Sequence, residues 1–131
     1  MELPALSVQL LERFGLMAEL KENWDGDDAE PVVPSLIPLC KTIISLLLKD
    51  GYSEPTIGAT PCGTIDLVWD HLGVHCVVSP PLPGLTIICI KGDSVGCEDY
   101  PYTDQATAEV ELAGIIKVKL EQAVTYLGGQ N

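Results

Sequence analysis

Positive charge is what this sequence has least of: one arginine, Arg13, and six lysines stand against 19 aspartates and glutamates, for a net charge of -12. A chain so poor in cations has little with which to neutralise phosphates, and this argues against direct binding to nucleic acid. Its cysteines, at positions 40, 62, 76, 89 and 97, include no C-x-x-C pair, and each lies within or beside an apolar run, where a reduced thiol behaves as a small hydrophobe. The odd count and the missing pair favour a reducing, cytoplasmic setting. No apolar run approaches the roughly 18 residues that a membrane helix needs. The N-terminal MELPALSVQLLERF opens on Glu2, where a secretory signal would place basic residues. The chain is therefore expected to be neither secreted nor membrane-spanning. Also absent are a glycine-rich phosphate loop and a G-x-S-x-G elbow, so the common hydrolase and transferase machineries are missing.

What is present suits one domain over residues 1–131, since 47% hydrophobic content at this length can bury a single core. Between Ala5 and Glu22 the residues Leu6, Leu10, Leu11, Phe14, Met17 and Leu20 recur at helical spacing and predict a first helix. A second, apolar nearly all round, is predicted from Ser35 to Lys49, with Ser35 as N-cap, Pro38 in the first turn and Asp50-Gly51 as the stop. After Gly51 the period changes. TIDLVWD at 64–70 and VHCVVS at 74–79 alternate as strands of a hairpin around HLG, a third strand is predicted at 85–91, and DSVGCEDYPY gives an irregular fourth. The segment near Thr56 to Thr60 has room for a short first strand. Helical spacing returns from about Asp104 to Leu127, through Val110, Ala113, Ile115 or Ile116, Leu120, Ala123, Val124 and Leu127. The order is α+β: two helices, an antiparallel meander of about four strands, and a C-terminal helix packed on one sheet face.

The stretch NWDGDDAEPVVPS at 23–35 joins the first two helices. It has neither the spacing nor the twelfth-position glutamate of a calcium-binding EF-hand loop. Its residues suit a connection: Asp25-Gly26 for a turn, Pro31 and Pro34 for an extended entry, and Trp24 roofing the core with its indole N–H on an acceptor. The run Asn23-Trp24-Asp25-Gly26 with Ala29 and Pro31, then Pro55-Thr56-Ile57-Gly58-Ala59-Thr60-Pro61 with Gly63 before a strand containing Trp69, resembles a family of small bacterial and phage α+β proteins, largely uncharacterised, that share N-W-D-G-x-x-A-x-P. The resemblance covers about residues 20 to 127. It implies an α+β domain in a setting of bacteria, phages and mobile elements, a motif that serves the helix connection, and no catalytic residues. This chain departs from the pattern with Asp27 and Asp28, where such proteins often carry glycine or small residues.

Chemistry-bearing clusters are thin. Cys62, His71, His75 and Cys76 are the residue types that bind zinc, but His75 and Cys76 are adjacent in a strand and point to opposite faces. Asp66 and Asp70, on one strand face, would be about 13 Å apart, too far for paired carboxylate chemistry. Cys62, in a turn, is the one thiol placed for nucleophilic work. No cofactor and no metal are expected. Surface remains. With Ile65, Leu67, Trp69, Val74, Cys76, Val78, Leu85, Ile87 and Cys89 toward the helices, Val68, Val77, Ile88 and Ile90 fall on the other sheet face beside Asp66, Asp70 and His75, a patch suited to a partner or to a homodimer. A second acidic zone, Asp93, Glu98, Asp99, Asp104, Glu109 and Glu111, surrounds Tyr100 and Tyr102.

These features lead to the expectation of a non-enzymatic, protein-binding inhibitor from a phage or mobile element, anti-CRISPR-like, that blocks a basic, nucleic-acid-handling bacterial defence complex. The expected contact residues are Asp25, Asp27, Asp28, Asp66, Asp70, Glu98, Asp99, Tyr100, Tyr102 and Asp104. The alternatives are an antitoxin or immunity-type partner of a small toxin, and a cysteine- or metal-dependent enzyme.

Overall fold

The computed structural model describes residues 3–79, 85–91, 94–100 and 105–128 and, within these, the side chains of 3–79 and 109–124. The first helix, α1, is Val8–Ala18, shorter at both ends than its apolar spacing suggests. Ser7 sets the start: its Oγ accepts the Leu10 amide at 3.2 Å and donates to Glu54 Oε1 at 2.6 Å, while its own amide donates to Glu54 Oε2 at 2.7 Å. A carboxylate 47 residues away thus completes the cap and sits at the positive end of the helix. The end tightens through Glu19 N–H to Leu16 and Leu20 N–H to Met17, both three-residue bonds. Leu10, Phe14 and Met17 are buried, but Leu11, expected with them, is 44% exposed. Ser7→Ala is expected to lower stability by about 1 kcal/mol, with Ser7→Thr retaining most of it, as read from urea midpoints.

The second helix, α2, is Leu36–Lys49. Ser35 does not cap it: its backbone is already right-handed helical and its side chain makes no capping bond, because Leu36 N–H and Ile37 N–H reach back to the Val33 and Pro34 carbonyls in a turn that leads into the helix. The stop is as expected. Gly51, at φ +93, lets its amide reach Leu48 and that of Tyr52 reach Leu47, the paired bonds of a Schellman motif. Leu36, Leu39, Cys40, Ile43, Ile44 and Leu47, spaced by three and four, are buried on one face, while Ile37, Leu46 and Leu48 beside it are half-buried and Pro38 and Lys49 are exposed, so a helix apolar nearly all round is covered chiefly on one side.

Among the described residues five strands follow in a meander ordered β1-β2-β3-β4-β5, every neighbouring pair antiparallel: β1 Thr56–Ala59, β2 Ile65–Trp69, β3 Val74–Val78, β4 Leu85–Lys91 and β5 Ser94–Tyr100. The short strand near Thr56 is therefore present and takes the meander beyond four. β2 ends one residue early, since Asp70 opens a single 3₁₀ turn, its carbonyl accepting from Gly73, which closes the hairpin at φ +68. The expected alternation holds where side chains are described. Ile65, Leu67, Trp69, Val74, Cys76 and Val78 are buried, and Asp66, Val68, His75 and Val77 on the other face are half-buried. Register sets Leu85, Ile87 and Cys89 opposite Val78, Cys76 and Val74, and Ile88 opposite His75.

The C-terminal helix, α3, is Gln105–Gly128, and it packs on α2 and on the sheet. Among its described side chains the buried ones are Leu112, Ala113, Ile116, Leu120 and Ala123. Val110 and Val124, expected in that face, are 68% and 49% exposed. Val110 is about 120° round the helix from Ile116, which places it on the solvent side. One core cluster joins residues from all three helices and from β1, β2 and β3.

Candidate functional site

The connection between α1 and α2 is a closed loop in which nearly every polar group of the N-W-D-G stretch has a task. Asn23 donates its amide to the Ala29 carbonyl at 2.7 Å and accepts the Asp28 amide on Oδ1 at 2.8 Å. Asp25 Oδ1 takes two amides, from Asp27 at 2.8 Å and Ala29 at 3.1 Å. Asn23 and Asp28 both hold φ +62, a left-handed conformation that asparagine and aspartate tolerate best among residues with a Cβ. Trp24 donates its indole N–H to the Glu30 carbonyl at 2.8 Å. It is half-buried and stands outside the core cluster, so it fastens the loop instead of roofing the core.

The loop is also tied to the turn between β1 and β2. Glu30 N–H bonds to Pro61 at 2.8 Å, Val33 N–H bonds to Gly63 at 3.0 Å, and Glu30 forms a parallel bridge with Cys62. Asp25, Asp27 and Asp28 are all exposed, together with Glu22 and Glu30, but one oxygen of Asp25 is engaged by the loop's own amides. Among the described residues no group of three or more histidines, cysteines or acids is arranged to hold a metal ion.

On the outer sheet face Asp66 Oδ1 lies 3.2 Å from His75 Nε2, although the two are not aligned for a hydrogen bond. Asp70 is exposed in the 3₁₀ turn and does not share a strand with Asp66, because the chain bends at Trp69. One ladder row runs Gly58, Asp66, Val77, Thr86, Asp99 across all five strands. Glu98, Asp99 and Tyr100 are in β5, their side chains outside the described residues, and Tyr102 and Asp104 lie outside the described residues altogether.

Of the thiols described, Cys62 is exposed and Cys40 and Cys76 are buried. Burial pushes the Cys40 thiol far above its ordinary range, and neighbouring Cys76 pushes it further. Such a thiol is inert. The raised value also sets an alkaline limit: above about pH 8.5 the unfolded chain releases the Cys40 proton and the folded chain keeps it, so stability falls as pH rises. Tyr52, raised first by burial and then by Glu121, extends the decline above pH 10. Urea midpoints taken from pH 7 to 10 are expected to fall on the alkaline side, with Cys40→Ala flattening the slope.

No protein-family model matches the chain, and neither a curated protein nor a solved structure is significantly similar to it. Among the described residues no helix is long and apolar enough to cross a membrane.

Proposed function

We propose that the protein works by binding another protein, as a non-enzymatic inhibitor from a phage or mobile element that occupies a basic surface where a bacterial defence complex would hold nucleic acid. The reading is carried by the 23–30 loop, which fixes its backbone with its own asparagine, aspartate and tryptophan side chains and leaves Asp27 and Asp28 outside. Carboxylates on a loop already ordered lose little further freedom on binding, which favours affinity. A net charge of -12 steers a basic partner from a distance and repels competing acidic proteins. The same charge explains why the chain would engage the machine and not its nucleic acid.

The test is competition. Titrated against a purified RNA-guided effector complex, the protein is expected to displace labelled target DNA, with an apparent affinity that weakens between low and raised salt. Charge reversal of Asp27, Asp28, Glu98 and Asp99 together is expected to abolish displacement while the thermal midpoint stays near that of the parent. Displacement unchanged by the four reversals would rule out carboxylate mimicry.

A further inference from the structure

Among the described residues the helices cover one face of the sheet, yet both faces carry apolar positions. An antiparallel sheet with one face in water alternates apolar and polar residues along each strand. Here the register sets Val68, Val77, Ile88, Ile90, Val95 and Cys97 at outward positions of β2, β3, β4 and β5. In β5 the alternation is inverted, since its inward positions are Ser94, Gly96, Glu98 and Tyr100. All three helices join one cluster with the inward residues of β1, β2 and β3, and none of the three is left for the outer side.

The outer face carries charge of one sign. The row Asp66, Val77, Thr86, Asp99 has an acid at either margin, and the next row sets Val68, His75 and Ile88 side by side. Asp66 is 28% exposed and lies 3.2 Å from His75 Nε2 with no hydrogen bond between them, so its charge is not spent there. The one lysine of the described strands, Lys91, shares the inward register of Cys89, so no lysine or arginine of these strands falls at an outward position. The two acids are three strand spacings apart, about 14 Å, and a helix with its side chains is about 10 Å across.

We infer that the outer sheet face is a docking site for a basic amphipathic helix of a partner protein, laid along β3 and β4 with its aliphatic side on the rows of Val77 and Val68 and its lysines or arginines along the margins where the register sets Asp66 and Asp99. The five residues of β3 span about 17 Å, the length of about three helical turns. Long basic side chains lay their stems on apolar surface and hold the charge at its rim, which suits a face that is apolar in the middle and acidic at the margins. A second copy of this chain fits poorly, because face-to-face pairing sets these acids against acids in a chain of net charge -12. The inference shares with the proposed function the sign of the partner's charge, and rests neither on the 23–30 loop nor on nucleic acid.

A phage-displayed library of amphipathic helices of about four turns, aliphatic on one side and randomised over Lys, Arg, Glu, Gln and Ser on the other, is selected against the intact protein. The expected winners carry Lys or Arg on both flanks of the aliphatic side. A synthetic winner is expected to shift the methyl resonances of Val68 and Val77 and to leave those of Val110 and Val118, exposed on α3, in place. Val68→Thr with Val77→Thr keeps shape and strand preference and should weaken the winner about tenfold, and Asp66→Asn about threefold, with thermal midpoints near that of the parent. Asp27→Asn with Asp28→Asn should leave the winner's affinity unchanged. A protein that binds the winner and fails to displace DNA keeps this inference and loses the proposed function, and the reverse result loses this one. A selection without enrichment, winners with acidic or uncharged flanks, or winners that leave Val68 and Val77 unmoved overturn the inference. So does a dimer in light scattering that the double threonine variant dissociates, since a second copy would then cover the face.

Discussion

Trp69→Ala is expected to remove about 4 kcal/mol of stability, a large share of what a domain of this size has. Trp69 is 1% exposed at the end of β2 and is the largest of the fully buried side chains, packed in the cluster shared by the helices and the sheet. Its indole N–H donates to the Ser53 carbonyl at 2.9 Å, so truncation both opens a cavity and strips an acceptor in the segment between α2 and β1. Trp69→Phe, which keeps much of the ring and loses the donor, should cost clearly less than alanine and divides the loss into packing and bond. Trp24→Phe supplies the contrast: that ring is half-buried, outside the core, and holds one loop carbonyl, so its removal should cost about 1 kcal/mol. Urea unfolding followed by far-ultraviolet circular dichroism reads all three without depending on tryptophan emission. Equal losses at the two tryptophans would mean that the core is not organised around β2.

Much of this arrangement is legible in the sequence, and the misses share a cause. Period-two alternation identified the buried faces of β2 and β3, and helical spacing identified α1, α2 and α3, because those patterns report burial directly. Periodicity does not report where a helix stops. The ends of α1 are decided by Ser7 with Glu54, a contact between residues far apart in sequence, and by three-residue bonds at Glu19 and Leu20. Ser35 looked like an N-cap because of its residue type, yet the chain enters α2 through a turn begun at Val33. Val110 and Val124 are apolar without being core, since a solvent-side valine carries the same letter as a buried one. The candidate loop was legible as a connection, whereas the fact that Asp25, exposed like Asp27 and Asp28, also closes it depends on which amides come within reach once it is folded.

Gly63→Ala is expected to cost about 3 kcal/mol, nearly as much as emptying the core, although Gly63 belongs to a turn. Two effects combine there. Its φ of +80 is a left-handed conformation that alanine adopts at about 1 kcal/mol or more, and a Cβ at this site would lie 2.8 Å from the Pro31 carbonyl oxygen, a backbone atom with little freedom to retreat. The bonds from Glu30 to Pro61 and from Val33 to Gly63 flank that contact on both sides, so any retreat stretches the seam between the loop and the β1–β2 turn. Gly26→Ala isolates the first effect, because Gly26 holds φ +78 and an added methyl there would meet nothing within 4 Å, and it should cost about 1 kcal/mol. The difference between the two variants, read from urea midpoints, then measures the seam itself. Hydrogen exchange should locate the damage, with the Glu30 and Val33 amides losing protection in Gly63→Ala and keeping it in Gly26→Ala. Were Gly63→Ala no less stable than Gly26→Ala, the loop would not be braced by the sheet, and Asp27 and Asp28 would lose the ordering on which the proposed binding depends.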